Sequence, residues 1–209
     1  MRNTTLIAFM VILLSTALGT ANANSITLIS GNAAIGQSDP DITVSGVAFI
    51  CLVNGVPYPA APVALQQAIV INPAHPLWVS PIAGTNWVSL ETDGIGPTNG
   101  YDYETTFTLP GGYVNPSITV SYYCDDAGQW LMLNGNVWGT NYNPSNQTGQ
   151  MGTFATNDPS FFKPGVNTLD FVVYNQMAWT GLDYYATVSY TPVPEPSVNQ
   201  HAIMTHLGA

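Results

Sequence analysis

Past its first two dozen residues, the chain carries its apolar side chains in alternation with polar ones or in short runs. The segment from Tyr101 to Leu109 is the clearest case, since Tyr101, Tyr103, Thr105, Phe107 and Leu109 share one face of an extended chain. Ser117 to Cys124 alternates in the same way through Ile118, Val120 and Tyr122. Further β-branched and aromatic runs cover 25–30, 42–53, 68–71, 86–90, 129–133, 167–175 and 182–190, broken by Gly, Pro and Asn. Gly46 is placed for a bulge inside the second of these, and Asn134-Gly135 predicts a tight hairpin turn. No heptad, helix-period face or long apolar run interrupts the series. About nine short strands at this spacing predict an all-β fold, an antiparallel β-sandwich or jelly roll. Two stretches lack a regular pattern, 54–62 and 134–165. The second is either a functional loop or is subdivided by short strands at Gly152-Thr153-Phe154 and Phe161-Phe162.

The N-terminus has a different character. Arg2 precedes an apolar block from Leu6 to Leu14, and Ala21-Asn22-Ala23 has the small-x-small form that signal peptidase cuts after. Residues 1–23 therefore read as a secretory signal peptide, with an apolar block too short to span a bilayer. A β-sandwich domain over 24–191 and a tail over 192–209 follow. All twelve acidic residues lie after the cleavage site, but Lys163 is the one basic Lys or Arg there, a balance of −11. Such a surface repels nucleic acid and anionic lipid, and it suits an extracellular protein that contacts neutral polymers such as glycans. Cys51 and Cys124 sit in strand-like runs of an exported chain, which makes them a candidate disulfide, the alternative being two buried thiols.

For chemistry the residues offer three constellations. Asp125-Asp126 ends a strand and precedes Gly128. With a third acid such as Asp39, Asp41 or Asp183 it is a candidate Ca²⁺ site, set against a solvated turn. Trp138, Trp179 and Tyr142 fall in Gly/Asn/Thr-rich segments, where flat rings can stack on sugar rings or cap the ends of a sandwich. The chain contains no G-x-S-x-G, C-x-x-C or H-E-x-x-H motif, so the reading is non-catalytic. A glycoside hydrolase built on facing carboxylates (Glu91, Glu104 or the Asp pair) is the enzymatic alternative.

Near the C-terminus, Val193-Pro194-Glu195-Pro196-Ser197 follows a final strand and resembles the opening of a PEP-CTERM sorting signal. Upstream, residues 164–175 with Thr180-Gly181-Leu182, the pair Asp125-Asp126 with Leu133-Asn134-Gly135, and Trp87-Val88-Ser89 with 101–107 are similar to strands of the domain common in that family. The resemblance covers roughly 30–197. It implies a galactose-binding-like β-sandwich, which often holds a structural calcium, displayed at the surface or in the exopolysaccharide matrix of a Gram-negative bacterium. The family's apolar helix and Arg cluster do not follow Pro194, Glu195 and Pro196; Ser197 to Ala209 is a short tail without Lys or Arg. A secreted product with no stable membrane anchor after signal cleavage is expected. The leading expectation is carbohydrate binding, with a self-associating biofilm matrix protein as the alternative.

Overall fold

The computed structural model of the protein describes residues 22–47, 50–53, 56–59, 63–72, 78–140, 151–176 and 178–193. All but the last two residues of the expected signal peptide lie outside these, as do Tyr142, His75 and the motif residues Pro194, Glu195 and Pro196. Among the described residues no helix is long and apolar enough to cross a membrane.

The described residues form thirteen strands: β1 (Asn24–Ile29), β2 (Ser38–Val47), β3 (Ile50–Val53), β4 (Val56–Pro59), β5 (Gln66–Ile71), β6 (Trp87–Ser89), β7 (Asn99–Leu109), β8 (Tyr113–Asp125), β9 (Ala127–Leu133), β10 (Asn136–Thr140), β11 (Gly152–Thr156), β12 (Gly165–Asn175) and β13 (Gly181–Pro192). Eleven form one antiparallel ladder in the order β10-β9-β12-β7-β2-β5-β6-β13-β8-β11, with β1 on β13; β3 and β4 form a separate ribbon. The alternation within each strand decides how this ladder folds. Tyr101, Tyr103 and Phe107 of β7, Leu131 and Leu133 of β9, and Leu169, Phe171 and Val173 of β12 share one buried cluster with Ile118, Val120 and Tyr122 of β8 and Tyr184, Ala186 and Val188 of β13. Both halves bury the same face, so the ladder doubles over at β5–β6 into a sandwich. The fold is all-β and antiparallel, as the alternation predicts.

Its two ends meet. Trp138 of β10 packs edge-on against Phe154 of β11, ring centroids 6.0 Å apart. A Cβ on Gly139 would sit 2.7 Å from the Phe154 ring, so only glycine lets these strands approach. Aromatic packing thus closes a seam that backbone hydrogen bonds leave open.

Other local features follow from the sequence with some corrections. Asn134 and Gly135 both have positive φ, 54° and 75°, the geometry of a type I′ hairpin between β9 and β10. The Asn134 amide also anchors that turn, donating to the Phe161 carbonyl at 2.8 Å and to Asn167 Oδ1 at 2.7 Å. The run 42–53 is two strands, because β3 leaves the ladder to pair with β4 inside the Pro-rich stretch 54–62. Gly46 is in register with Tyr101, and the irregularity of β2 lies between Ser38 and Thr43. Gly46 is instead a close-approach residue, since a Cβ there would come within 2.9 Å of Asn99 and Val63. Gly152-Thr153-Phe154 does form a strand. Phe161-Phe162 does not: Pro159–Phe161 is a 3-10 turn whose first amides are capped by Asp158, which accepts from Ser160 N at 2.9 Å.

The expected disulfide is a further correction. Cys124 is a free thiol, fully buried on the inner face of β8. Its strand pairs with β11 and β13, whereas Cys51 lies on the separate β3–β4 ribbon. Burial pushes the Cys124 thiol well above its ordinary pKa, the state of an unreactive core cysteine.

Candidate functional site

Carboxylates occur here in two kinds of surroundings. The first kind is surrounded by donors. Asp183, fully buried, accepts from Ser30 Oγ at 3.1 Å, from Ile82 N at 2.8 Å and from Thr85 Oγ1, tying β1 and the 82–85 turn to β13. Burial nevertheless raises its pKa, with those donors working against the rise. Asp39, also buried, accepts from Gly31 N at 2.7 Å, Asn32 N at 3.1 Å and Asp41 N at 3.0 Å. These acids hold loops in place.

The expected Asp125-Asp126 pair belongs to the same kind. Asp125 Oδ2 accepts from the Trp78 indole at 2.5 Å, and Asp126 accepts from Gln176 N. Burial raises the Asp125 pKa, and the adjacent Asp126 carboxylate adds to the rise. The third acids suggested for a cation, Asp39, Asp41 and Asp183, each accept from donors of their own, Asp41 from the Asn32 amide. Among the described residues no group of three His, Cys, Asp or Glu is placed to hold a metal ion. Trp78 and the Gln176 amide thus each take up one carboxylate oxygen of the pair.

Trp78 shows what the pair does. Its ring stacks on Trp87 with centroids 4.3 Å apart, and Trp87 stacks on Tyr123 at 6.3 Å. Trp179, half-buried, packs against this same aromatic cluster outside the main core. Trp138 packs against the main core at the seam. The structure therefore gives the two tryptophans separate places and does not bring them together.

The second kind of carboxylate stands on the outward face of β7 and its neighbours. Because Tyr101, Tyr103, Thr105 and Phe107 point inward, Asp102, Glu104 and Thr106 point outward. Glu104 lies opposite Asp170 of β12 and opposite Thr43 of β2. Asp170 is pushed up to about 7 by burial, then by the charges of Asp102 and Glu104. Asp102 is pushed up to about 6 by burial and by Glu104, and its Oδ1 has no hydrogen-bond partner.

Glu104 also lines a groove of about 510 Å³ bounded by Thr27, Leu28 and Ile29 of β1, Asn32, Pro40, Asp41 and Thr43 at the start of β2, and Thr105 and Thr106 of β7. Asn32 Nδ2 donates to Asp41 Oδ2 at 2.7 Å within it. Threonine hydroxyls, one amide and two carboxylates share the lining with Leu28, Ile29 and Pro40, and no Lys or Arg contributes. The sequence singled out Asp41 and Glu104 only in other roles, as a cation ligand and as a hydrolase carboxylate, and did not join them to the rest of this lining. The available signals were the charged positions opposite the aromatic face of 101–109 and Asp170 inside the apolar run 167–175.

No protein-family model matches the chain, and no curated protein matches it. Among solved structures, it is similar to a family 35 carbohydrate binding module from Clostridium thermocellum, at 11% identity and a TM-score of 0.42, covering 78% of this chain and 97% of that one. A family 35 module from an environmental isolate is similar at 15% identity and a TM-score of 0.39, covering 63% and 92%. A GH26-CBM35 β-(1,4)-mannanase from Podospora anserina is similar at 14% identity and a TM-score of 0.32, covering 76% of this chain and 29% of that one.

Proposed function

We propose that this is an exported, non-catalytic glycan-binding domain, and that the groove between β1, β2 and β7 is its binding seat. The lining of that groove carries the reading. Beside an apolar wall of Leu28, Ile29 and Pro40, it gathers hydroxyl, amide and carboxylate groups from Thr27, Asn32, Asp41, Thr43, Glu104 and Thr106, the mixture of apolar surface and convergent polar groups that ligand sites use. Those groups match the dense hydroxyls of a sugar: carboxylates accept from them, and the amide and threonine hydroxyls donate or accept. The signal-like segment 1–23 and the VPEPS motif support secretion to the cell surface or exopolysaccharide matrix of a Gram-negative bacterium.

A glycan array probed with the signal-cleaved chain tests the reading. Retention on at least one polysaccharide, weakened by Asp41→Ala in a variant that melts normally, is expected. Failure to bind any glycan would sink it. Self-association is the second reading, favoured by Val137, which is 48% exposed on the terminal strand β10. Concentration-dependent growth in light scattering, indifferent to added sugar, would favour that alternative.

A further inference from the structure

The groove has two properties that its hydroxyl chemistry leaves unexplained. First, its charge is uncompensated. Asp41 and Glu104 line it, Asp170 and Asp102 crowd Glu104 from behind, and no cationic side chain is among the lining residues. Like charges held together on neighbouring strands are destabilising, and a fold with no use for them would separate or pair them.

Second, a buried polar atom waits beneath it. Tyr184 of β13 is 1% exposed, and its hydroxyl has no partner within good hydrogen-bond geometry, Thr105 being the polar side chain beside it. That hydroxyl lies alongside the groove residue Thr105 and within electrostatic reach of Asp39 and Asp41. An orphaned hydroxyl at full burial is unfavourable, because it has given up water and gained nothing in return. A polar ligand, or water ordered by one, entering past Thr105 would satisfy it.

We infer that the groove takes a glycan bearing free amines, a deacetylated hexosamine polymer, with Asp41 and Glu104 facing the ammonium groups. The inference rests on the glycan-binding reading and narrows its ligand. An ammonium on a sugar ring supplies three donors and the missing positive charge, while the ring hydroxyls meet Asn32, Thr43 and Thr106. An N-acetyl group at the same position would bring neither charge nor a comparable set of donors to Glu104. The signal-cleaved chain, with a balance of −11, also draws in a polycation over long range, which speeds encounter.

Calorimetry on the signal-cleaved chain with a glucosamine hexasaccharide, its N-acetylated counterpart and a neutral glucose hexasaccharide makes the test. The free amine is expected to bind about tenfold or more tightly than the N-acetylated sugar. Raising salt from about 0.1 M to about 1 M, which cuts the Debye length from about 10 Å to about 3 Å, is expected to erase most of that preference. Glu104→Gln removes the preference, with a melting temperature near wild type because the residue is exposed. Tyr184→Phe weakens both amino sugars alike and leaves the preference intact. Equal affinity for the free amine and the N-acetylated sugar overturns the amine assignment but leaves glycan binding standing. No binding of any of the three, against retention of another polysaccharide on the array, overturns it as well. Binding of Ca²⁺ alone that Glu104→Gln abolishes would make the groove a cation site and also overturn the assignment.

Discussion

Asp183 and Asp170 are both acids on strands of one sandwich, and the fold treats them in opposite ways. Asp183 is met by Ser30, Thr85 and the Ile82 amide and fastens a loop to a strand. Asp170 has a donor in Thr168, but it faces Glu104 and lies near Asp102, so its nearest charges repel it. Burial raises both pKa values, but only at Asp170 do neighbouring acids add to the effect. A carboxylate with donors around it is part of the scaffold. One that must share its space with other carboxylates stores unfavourable energy that a cationic partner can release, as strain is stored at other binding sites.

The sharpest way to break this contrast is to remove the scaffold acid. Asp183→Ala leaves Thr85, Ser30 and the Ile82 amide without their acceptor in a buried place, and should cost about 3 kcal/mol. In a domain of this size, that lowers the melting temperature by roughly 6–12 °C. Thermal melting followed by circular dichroism measures it. A change of less than a degree would mean that the donors re-pair and that Asp183 is no latch.

A smaller effect separates packing from recognition. Trp138 was a stacking candidate in the sequence, yet its ring lies across the seam against Phe154. Trp138→Ala should cost about 2–3 kcal/mol, toward the low end for an aromatic truncation because the ring is only half-buried. Glycan affinity per folded molecule should not change. Lost affinity at unchanged stability would instead return Trp138 to the binding surface and shift the seat away from the groove.

The contrast between these residues also shows how far sequence alone reaches. Period-two alternation read the strands well wherever one face is buried: 101–109, 117–124, 167–175 and 182–190 all lie inside observed strands. It failed where pairing is decided by partners far along the chain. Nothing local says that β10 and β11 meet through a glycine and two aromatic rings, whereas the pairing of 50–53 with 56–59 did have a local signal, the dipeptide Asn54-Gly55 between them. The site was harder still, because each of its residues is ordinary by itself. Thr27, Asp41 and Glu104 become one groove only when β1, β2 and β7 come together, and Glu104 meets Asp170 only through a register fixed across 66 residues of chain. The conspicuous features, Asp125-Asp126 and the tryptophans, were conspicuous because scaffolds also need strong polar and aromatic anchors.

The smallest expected effect tests the other side of the comparison, and its sign is opposite. Asp102 and Asp170 have folded pKa values of about 6 and about 7, above the ordinary carboxylate value of about 3.9. Between those limits the native state holds more protons than the unfolded chain, so stability falls as pH rises from about 4 to about 7. Above that window the full penalty is present. Lowering the pH from about 8 to about 5 should therefore raise the melting temperature, and Asp183 and Asp125, whose pKa values burial also raises, act in the same direction. Asp170→Asn removes one of the crowded charges while keeping the shape. It should stabilise the domain at neutral pH by about 1 kcal/mol once solvent screening is allowed for, or roughly 2–4 °C. It should also flatten the pH profile and weaken binding of the glucosamine oligomer, because the charge that repels its neighbours is part of what attracts the ligand. Trading affinity for stability in one substitution is the signature of a binding acid. If Asp170→Asn destabilises the protein at neutral pH, Asp170 is a scaffold residue after all, and the distinction drawn between the two kinds of carboxylate fails at its most exposed point.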